Sequence, residues 1–390
     1  MSFRTWDRVI CLLAVGFASS ICVLNAPLAN AARSPSGELG EGSAQQSVTV
    51  EDVQRMLAED KGKPDAKVAQ QLSGLKLTER MRSAKLKLLE QSVPGTKSRR
   101  ALLALADASV FLSPAVADVL SQVPPDSDEQ RHVLASTAEY LAKMLPKLPN
   151  FYATRTTVRY EEGMQSGKRA RAASQKDSSW RQVGSSTAVV TYRDGKELVD
   201  PREWGKHPSH PKGVGLITRG TFGPILSTVI ADAAHGEMAW DHWERGSART
   251  LAVFRYRVPQ NQSHYSLAIR GLSSDKGDAE QITAYDGEVA IDAASGTILF
   301  LTVQADQPLG SPIIRSDIMV EYGPVEIGGK AYTCPIRSVS IELDSGVFMG
   351  IYASAPTSHA TLLNDVTFGD YHLFGSDARI LTGNVPAPDH

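Results

Sequence analysis

One stretch, residues 285–305, constrains the fold more than any other because it predicts a long β-hairpin inside an antiparallel sheet. It reads YDGEVAIDAASGTILFLTVQA. Two runs of strand-like alternation flank the turn 292–296, whose glycine can adopt the positive φ that a short turn requires. Because side chains alternate between the two faces of a strand, the second run predicts one almost wholly apolar face. That face carries Thr297, Leu299, Leu301, Val303 and Ala305.

The N-terminal segment 1–31 has the features of a secretory signal peptide. Arg4 and Arg8 precede an apolar run, and Ala29 and Ala31 form the A-x-A pattern that signal peptidase accepts. We therefore predict cleavage after Ala31 and a periplasmic or secreted mature protein. A retained anchor helix is the alternative, but the run is short for a span of about 20 apolar residues. No later segment is long and apolar enough to cross a membrane, so we predict no transmembrane segment after cleavage.

Cysteine content and charge limit the stabilising bonds and the partners. The chain has three cysteines, and removal of the signal peptide leaves only Cys334. An intramolecular disulfide is then impossible, so the core must hold the fold. The formal net charge is −2, which argues against a nucleic-acid partner because such proteins carry a basic footprint.

The order of patterns predicts an α+β fold in two parts. Residues 32–46 lack large apolar side chains and are predicted to be a disordered leader. Residues 47–148 show helical periodicity, with a cap at Thr49 and a capping box formed by Asp126 and Glu129, and predict a helical module. That module either packs as an ordinary helical unit or docks an envelope protein. Residues 151–376 predict a large antiparallel sheet curled as a half-barrel, followed by a tail over 377–390.

One helix interrupts the strands of the second part. Its apolar residues recur at i, i+3, i+4, i+7 and i+8, which is the spacing of an amphipathic helix. Short turns without alternating helices elsewhere exclude a parallel, doubly wound sheet. The apolar positions of the inserted helix are Phe222, Ile225, Leu226, Val229 and Ile230.

The residues that could carry chemistry form no recognisable catalytic constellation. His207 and His210 are close in sequence, but no third ligand is marked by spacing, so neither a metal nor a cofactor is predicted. Cys334 is a candidate nucleophile only if a histidine base lies near it in space. Asp286 and Glu288, like Asp292, alternate along a strand and predict a solvated face. We expect a protein that is not an enzyme.

The order of elements resembles that of a known fold family. The tracts WERGSARTLAVFRYRV, AYDGEVAIDAASGTILFLTVQAD and VEYGPVEIGGKAYTCP resemble the strand sequence of the half-barrel shared by the lipoprotein carrier LolA and the RseB/MucB stress-signalling proteins. The mature chain is also similar to a family of exported acidobacterial proteins, through LKLTERM, ALLALADASVFLSP, LPNFYATRTTVRY and TFGPIL. These resemblances imply a half-barrel and an exported location, and fold does not imply function.

These observations lead to a functional hypothesis with two alternatives. We expect a binding protein that holds a lipid or a lipoprotein acyl chain in an apolar cavity of the half-barrel. The alternatives are a protein–protein interaction or signalling module with a solid β core, whose residues 47–148 dock an envelope protein, and a hydrolase using Cys334 or a histidine pair. The residues predicted to line the cavity are Phe222, Ile225, Leu226, Val229, Phe254, Tyr256, Leu299, Leu301 and Val303.

Overall fold

The computed structural model describes residues 45–163, 179–199, 224–247, 249–269, 279–307, 311, 313–344 and 360–374. The predicted signal peptide, most of the leader and the C-terminal tail lie outside these residues. The described chain has the predicted α+β class, with helices preceding a large antiparallel sheet. Its α-helices are α1 (Val50–Glu59), α2 (Asp65–Ser73), α3 (Ser83–Glu90), α4 (Thr96–Ala108), α5 (Ser127–Met144) and α6 (Pro224–Ala233).

Eleven of the described strands form one open antiparallel sheet, in the order β3-β7-β8-β11-β12-β13-β14-β15-β4-β5-β6. Two small pairs, β1 with β2 and β9 with β10, lie apart from it. Helix α6 is inserted between β6 and β7, as predicted. The strands are β1 (Gln46–Val48), β2 (Leu75–Leu77), β3 (Val119–Leu120), β4 (Phe151–Gly163), β5 (Arg181–Arg193), β6 (Lys196–Val199), β7 (Glu237–Arg245), β8 (Thr250–Val258), β9 (Ser266–Ile269), β10 (Ala279–Ile282), β11 (Tyr285–Asp292), β12 (Thr297–Ala305), β13 (Ile313–Ile327), β14 (Lys330–Asp344) and β15 (Ala360–Leu373).

Residues 45–115 fold around their own apolar core. From here on, the name helical module refers to these residues and no longer to the predicted range 47–148. The cap predicted at Thr49 is present: its hydroxyl accepts from the Asp52 backbone N–H at 3.1 Å, and the Asp52 carboxylate accepts from the Thr49 N–H at 3.0 Å. Asp65 joins α2 to the start of α4 by accepting from the N–H groups of Lys97 and Ser98 at 3.0 and 2.8 Å. These bonds, with that of the Ser98 hydroxyl, lower the pKa of Asp65. The buried core of the module includes Val53, Leu57, Val68, Leu72 and Leu102.

Helix α5 lies apart from this module, although the sequence predicted one helical unit over 47–148. The predicted capping box at Asp126 and Glu129 is present. The buried Val133, Leu134 and Leu141 of α5 belong to the core beneath α6, on the opposite side of the sheet from the module. Both faces of the sheet carry apolar side chains, so each face needs a helical cover. The chain divides its helices between them.

Alternation along β8 distinguishes the two faces. Ala252, Phe254 and Tyr256 point to the side covered by α5 and α6, which we call the α6 face. Leu251 and Val253 belong to a separate cluster on the other side, which we call the module face.

The helical module covers the module face. Ala104 of α4 and Val110 after it contact the buried side chains of Met319, Val339 and Leu363 from β13, β14 and β15. The segment that joins β2 to α3 lies over β7, β11 and β12, where Arg80 contacts Glu244, Glu288 and Phe300.

The predicted hairpin is present as β11 and β12, but a β-bulge shifts its register. Ala290 pairs with Phe300, whereas Ile291 pairs with Ile298, so Leu299 is an extra residue between the two pairs. A bulge places successive residues on the same side and breaks the alternation. Leu299 therefore packs on the module face, and the prediction that it shares a face with residues 301 and 303 is wrong.

The turn of this hairpin rests against α5. Gly296 has φ of +70°, and a Cβ at this position would lie 2.6 Å from the backbone C and O atoms of Ser136. Both the backbone conformation and the close approach therefore require glycine.

We predict that Gly296→Ala destabilises the protein more than Gly62→Ala. Gly62 also has a positive φ, of +88°, but a Cβ there would meet nothing within 4 Å. The control variant should lose only the cost of the left-handed conformation, about 1–2 kcal/mol, whereas Gly296→Ala also separates the turn from α5. The measurement is urea unfolding, and equal losses in the two variants would contradict the contact between the turn and α5.

Candidate functional site

Most of the residues predicted to line a cavity meet in one place. Ile225, Leu226 and Val229 of α6 lie in one buried cluster with residues of β8 and β12. The members from the two strands are Phe254, Tyr256, Leu301 and Val303. Phe222 lies outside the described residues, and Leu299 lies on the module face.

These side chains pack against one another. Leu301 and Val303 are each 1% exposed and Val229 is fully buried. The ring of Phe254 meets that of Trp240 edge-on at 5.4 Å, and the ring of Tyr256 meets that of Tyr285 at 5.9 Å. In the described residues, the α6 face is thus a packed core, in which most of the side chains predicted to line a cavity belong to one buried cluster.

A buried carboxylate anchors the C-terminal end of α6. Asp232 accepts from the backbone N–H of His264 at 2.8 Å and from the Tyr285 hydroxyl at 2.9 Å. The Nδ1 atom of His264 lies 2.6 Å from the other carboxylate oxygen. Burial and the neighbouring Asp232 raise the pKa of Tyr285, so its hydroxyl remains a hydrogen-bond donor.

The module face contains a cleft of about 470 Å³. Its sheet side is formed by Leu251, Ala290, Leu299 and Phe300, which come from β8, β11 and β12. Its opposite wall is formed by residues 80–84 and Val110 of the helical module. Gly246, Ser247 and Arg249, the hairpin turn and parts of β13 and β14 complete the rim. The cleft is therefore built by both layers of the structure.

A buried arginine joins the two layers beside this cleft. The Arg80 guanidinium, in the helical module, donates to Glu244 of β7 at 2.7 Å and to Glu288 of β11 at 2.9 Å. The central carbon of this guanidinium, Cζ of Arg80, lies 4.7 Å from the centre of the Phe300 ring. Burial opposes the charge of Arg80, but the two carboxylates outweigh it and raise the pKa of the guanidinium. Arg82 adds a second ion pair with Glu244 at 3.3 Å.

A second buried arginine joins the layers in the opposite sense. Arg337 of β14 donates to Asp365 of the neighbouring strand at 2.9 Å and to Asp107 of α4. It also donates to the Ser83 hydroxyl at 3.0 Å, and that hydroxyl donates to Glu321 at 2.5 Å. Here the sheet supplies the cation and the module supplies one of the anions.

His242 completes the network from the edge of the sheet. Its ring nitrogens lie 2.7 Å from Asp241 and 3.2 Å from Glu244. Burial opposes protonation, but the hydrogen bonds and charges of the two carboxylates raise the pKa of His242 to about 9. His242 is therefore protonated at neutral pH and has no free lone pair for a metal ion or for proton abstraction.

The prediction of a solvated face at Glu288 and Asp292 is wrong. The side chain of Glu288 is 15% exposed and that of Asp292 is 5% exposed, and both form ion pairs with arginines. One signal in the sequence pointed to this arrangement: arginines alternate at 255 and 257, and carboxylates alternate at 286 and 288. In the structure, Arg255 of β8 lies opposite Glu288 of β11. The residues that the sequence did not single out are Arg80, Arg82, Glu244, Arg249, Glu321 and Arg337.

The candidate residues for enzymatic chemistry are not brought into a reactive arrangement in the described part of the chain. Cys334 is buried among Phe151, Tyr192 and other apolar residues. Burial raises the pKa of its thiol to about 12, so the nucleophilic thiolate is scarce at neutral pH. His207 and His210 lie outside the described residues, within which no cluster of three metal-ligating side chains occurs.

Comparison with protein-family models, with curated proteins and with solved structures found no match to this chain. Among the described residues, none of the helices has the length and apolar character needed to cross a membrane.

The charge on His242 predicts a specific pH dependence of stability. Its pKa rises from 6.5 to about 9 in the folded state, so its contribution is complete below about pH 6.5 and is lost as the pH rises towards 9. The free energy of unfolding should therefore fall more between pH 6.5 and 9 in the wild type than in His242→Gln. Urea unfolding at several pH values measures this difference.

Replacement of the exposed His132 on α5 by glutamine is the matched control for this measurement. This variant should retain the pH dependence of the wild type. A His242→Gln variant with the same dependence as the wild type would show that His242 does not hold a proton in the network.

Proposed function

We propose that this protein is an exported, non-enzymatic binding protein that holds a small molecule in the cleft between its helical module and its sheet. The observation that carries this proposal is the cleft itself. Its volume of about 470 Å³ falls within the range of roughly 300–1,000 Å³ that is usual for small-molecule sites.

The position of the cleft supports a binding role. A ligand there would contact the module through residues such as Met81 and Val110 and the sheet through residues such as Leu299 and Phe300. A ligand that binds only when both walls are in place stabilises the folded protein by mass action. The ionic network beside the cleft holds the two walls at a fixed separation, so the site exists before the ligand arrives.

Export is the second part of this proposal. It rests on the signal-peptide pattern of residues 1–31. The mature chain would then bind its ligand in the periplasm or outside the cell.

We predict that a side chain that fills the cleft abolishes ligand binding without unfolding the protein. Thr297 lines the cleft from the start of β12, and tryptophan there is large and compatible with a strand. A thermal-shift screen of small molecules should find compounds that raise the melting temperature of the wild type. Thr297→Trp should lose these shifts.

The matched control is Thr187→Trp on β5, where the threonine is exposed and distant from the cleft in strand order. This variant should keep the shifts of the wild type. Compounds that stabilise Thr297→Trp as strongly as the wild type bind elsewhere and would contradict the cleft as the site.

A second candidate function is the one expected from the sequence, an acyl chain held on the α6 face. The observation that favours it is that α6, β8 and β12 bring seven of the nine side chains predicted to line the cavity into one buried apolar cluster. Organic extraction of gently purified protein and mass spectrometry of the extract test this idea: a stoichiometric lipid supports it, and an extract without lipid contradicts it.

A further inference from the structure

The charges that line the cleft are balanced in number. Among the residues that the structure describes, six charged side chains line it, three arginines and three carboxylates. They are Arg80, Arg82, Arg249, Glu244, Asp292 and Glu321.

Each of the three carboxylates is already engaged by the protein. Glu244 accepts from both Arg80 and Arg82, and Asp292 accepts from Arg249. The hydroxyl of Ser295 also donates to Asp292, at 2.7 Å. Glu321 differs from these two: it accepts from the hydroxyl of Ser83 and lies opposite Arg337 on the neighbouring strand, whose charge it stabilises. A cationic ligand would therefore have to displace an internal donor from its carboxylate.

Each of the three arginines is also paired with at least one carboxylate of the protein. Arg80 has two carboxylate partners, and Arg82 pairs with Asp118 at 3.6 Å in addition to Glu244. Arg249 is the most exposed of the three, with 60% of its side chain accessible, and it pairs with Asp292. An anionic ligand would have to compete with these carboxylates for a cation.

Two hydroxyl groups at the cleft, those of Ser83 and Thr333, are also engaged. Ser83 accepts from Arg337 and donates to Glu321, and Thr333 accepts from the Tyr140 hydroxyl at 2.7 Å. The cleft also offers a ligand the apolar surface of the sheet side and of Val110. The ring of Phe300, held beneath the Arg80 guanidinium, forms part of that surface.

From this pattern we infer that the cleft selects an uncharged, predominantly apolar molecule, an inference that rests on the proposed binding function. Among the described residues, each charged group on the wall is engaged by a charged group or a hydroxyl of the protein, so a net charge on the ligand meets no partner of opposite charge that is not already engaged. Removing a charge from water without such a partner is unfavourable. Apolar contact with the sheet side supplies the affinity.

A pair of fluorescent probes with the same ring skeleton tests this inference. N-phenyl-1-naphthylamine is uncharged, and 8-anilino-1-naphthalenesulfonate adds one sulfonate to the same rings. Titration of the full-length protein followed by fluorescence should give a dissociation constant for the neutral probe about tenfold lower than for the anionic probe. Thr297→Trp should abolish binding of the neutral probe, and Thr187→Trp should not.

Two variants that change the charge of the cleft in opposite directions complete the test. Asp292→Asn keeps the shape and releases Arg249 from its carboxylate, so the anionic probe should bind about tenfold more tightly. Arg249→Gln removes a cation from the cleft, so the anionic probe should bind this variant more weakly than it binds the wild type. The ratio of the two dissociation constants should therefore shift in opposite directions in the two variants, which separates the effect of charge from a change in the shape of the cleft.

The outcomes distinguish failure of the cleft as a binding site from failure of the inference about ligand charge. A neutral probe that does not bind the wild type, or binds Thr297→Trp equally well, overturns the cleft as a binding site. An anionic probe that binds the wild type as tightly as the neutral one, with binding lost in Thr297→Trp, leaves the site in place and overturns the inference about ligand charge. Equal affinity of the anionic probe for the wild type and Asp292→Asn also overturns the inference, because charge pairing would then not control selection.

Discussion

Buried ion pairs between the helical module and the sheet are the constraint on which the rest of the structure depends. Arg80 reaches from the module to Glu244 and Glu288 of the sheet, and Arg337 reaches from the sheet to Asp107 of the module. Burying a charge is costly unless a partner of opposite charge compensates it. Each arginine therefore restricts where the opposite layer can lie. Arg80 extends from the module to the sheet and Arg337 from the sheet to the module, so each layer supplies a cation to the other. Replacing such pairs by apolar residues can leave stability unchanged, so their main effect here is on orientation.

Orientation decides which side of the sheet can hold a ligand. On the α6 face, apolar side chains interlock into a packed core beneath α5 and α6, and the buried Asp232 is hydrogen-bonded at the end of α6. On the module face, charged pairs hold the layers apart around Phe300 and Leu299, and the space between them is the cleft. The proposed binding site thus lies where ion pairs, and not the apolar packing of Ala104 and Val110 on the same face, join the module to the sheet.

Local patterns in the sequence predicted local structure well. The hairpin of β11 and β12, the caps at Thr49 and Asp126, and the inserted helix all follow from periodicity and capping over a few residues. Features that depend on distant residues were not predictable in this way. The bulge at Leu299 is set by how β12 pairs with β11, and the burial of Glu288 depends on Arg80, which is 208 residues away in the chain. The cleft lies between two such distant parts, and no single segment reveals it.

The coupling between Arg80 and Glu288 tests the central claim most directly. A double-mutant cycle with Arg80→Met, Glu288→Gln and the double variant, measured by urea unfolding, isolates the energy of this pair. If the pair joins module to sheet, the double variant should be less destabilised than the sum of the single variants, by about 1.5 kcal/mol or more. Losses that add within about 0.5 kcal/mol would show that the two side chains do not interact across the interface and would contradict the account.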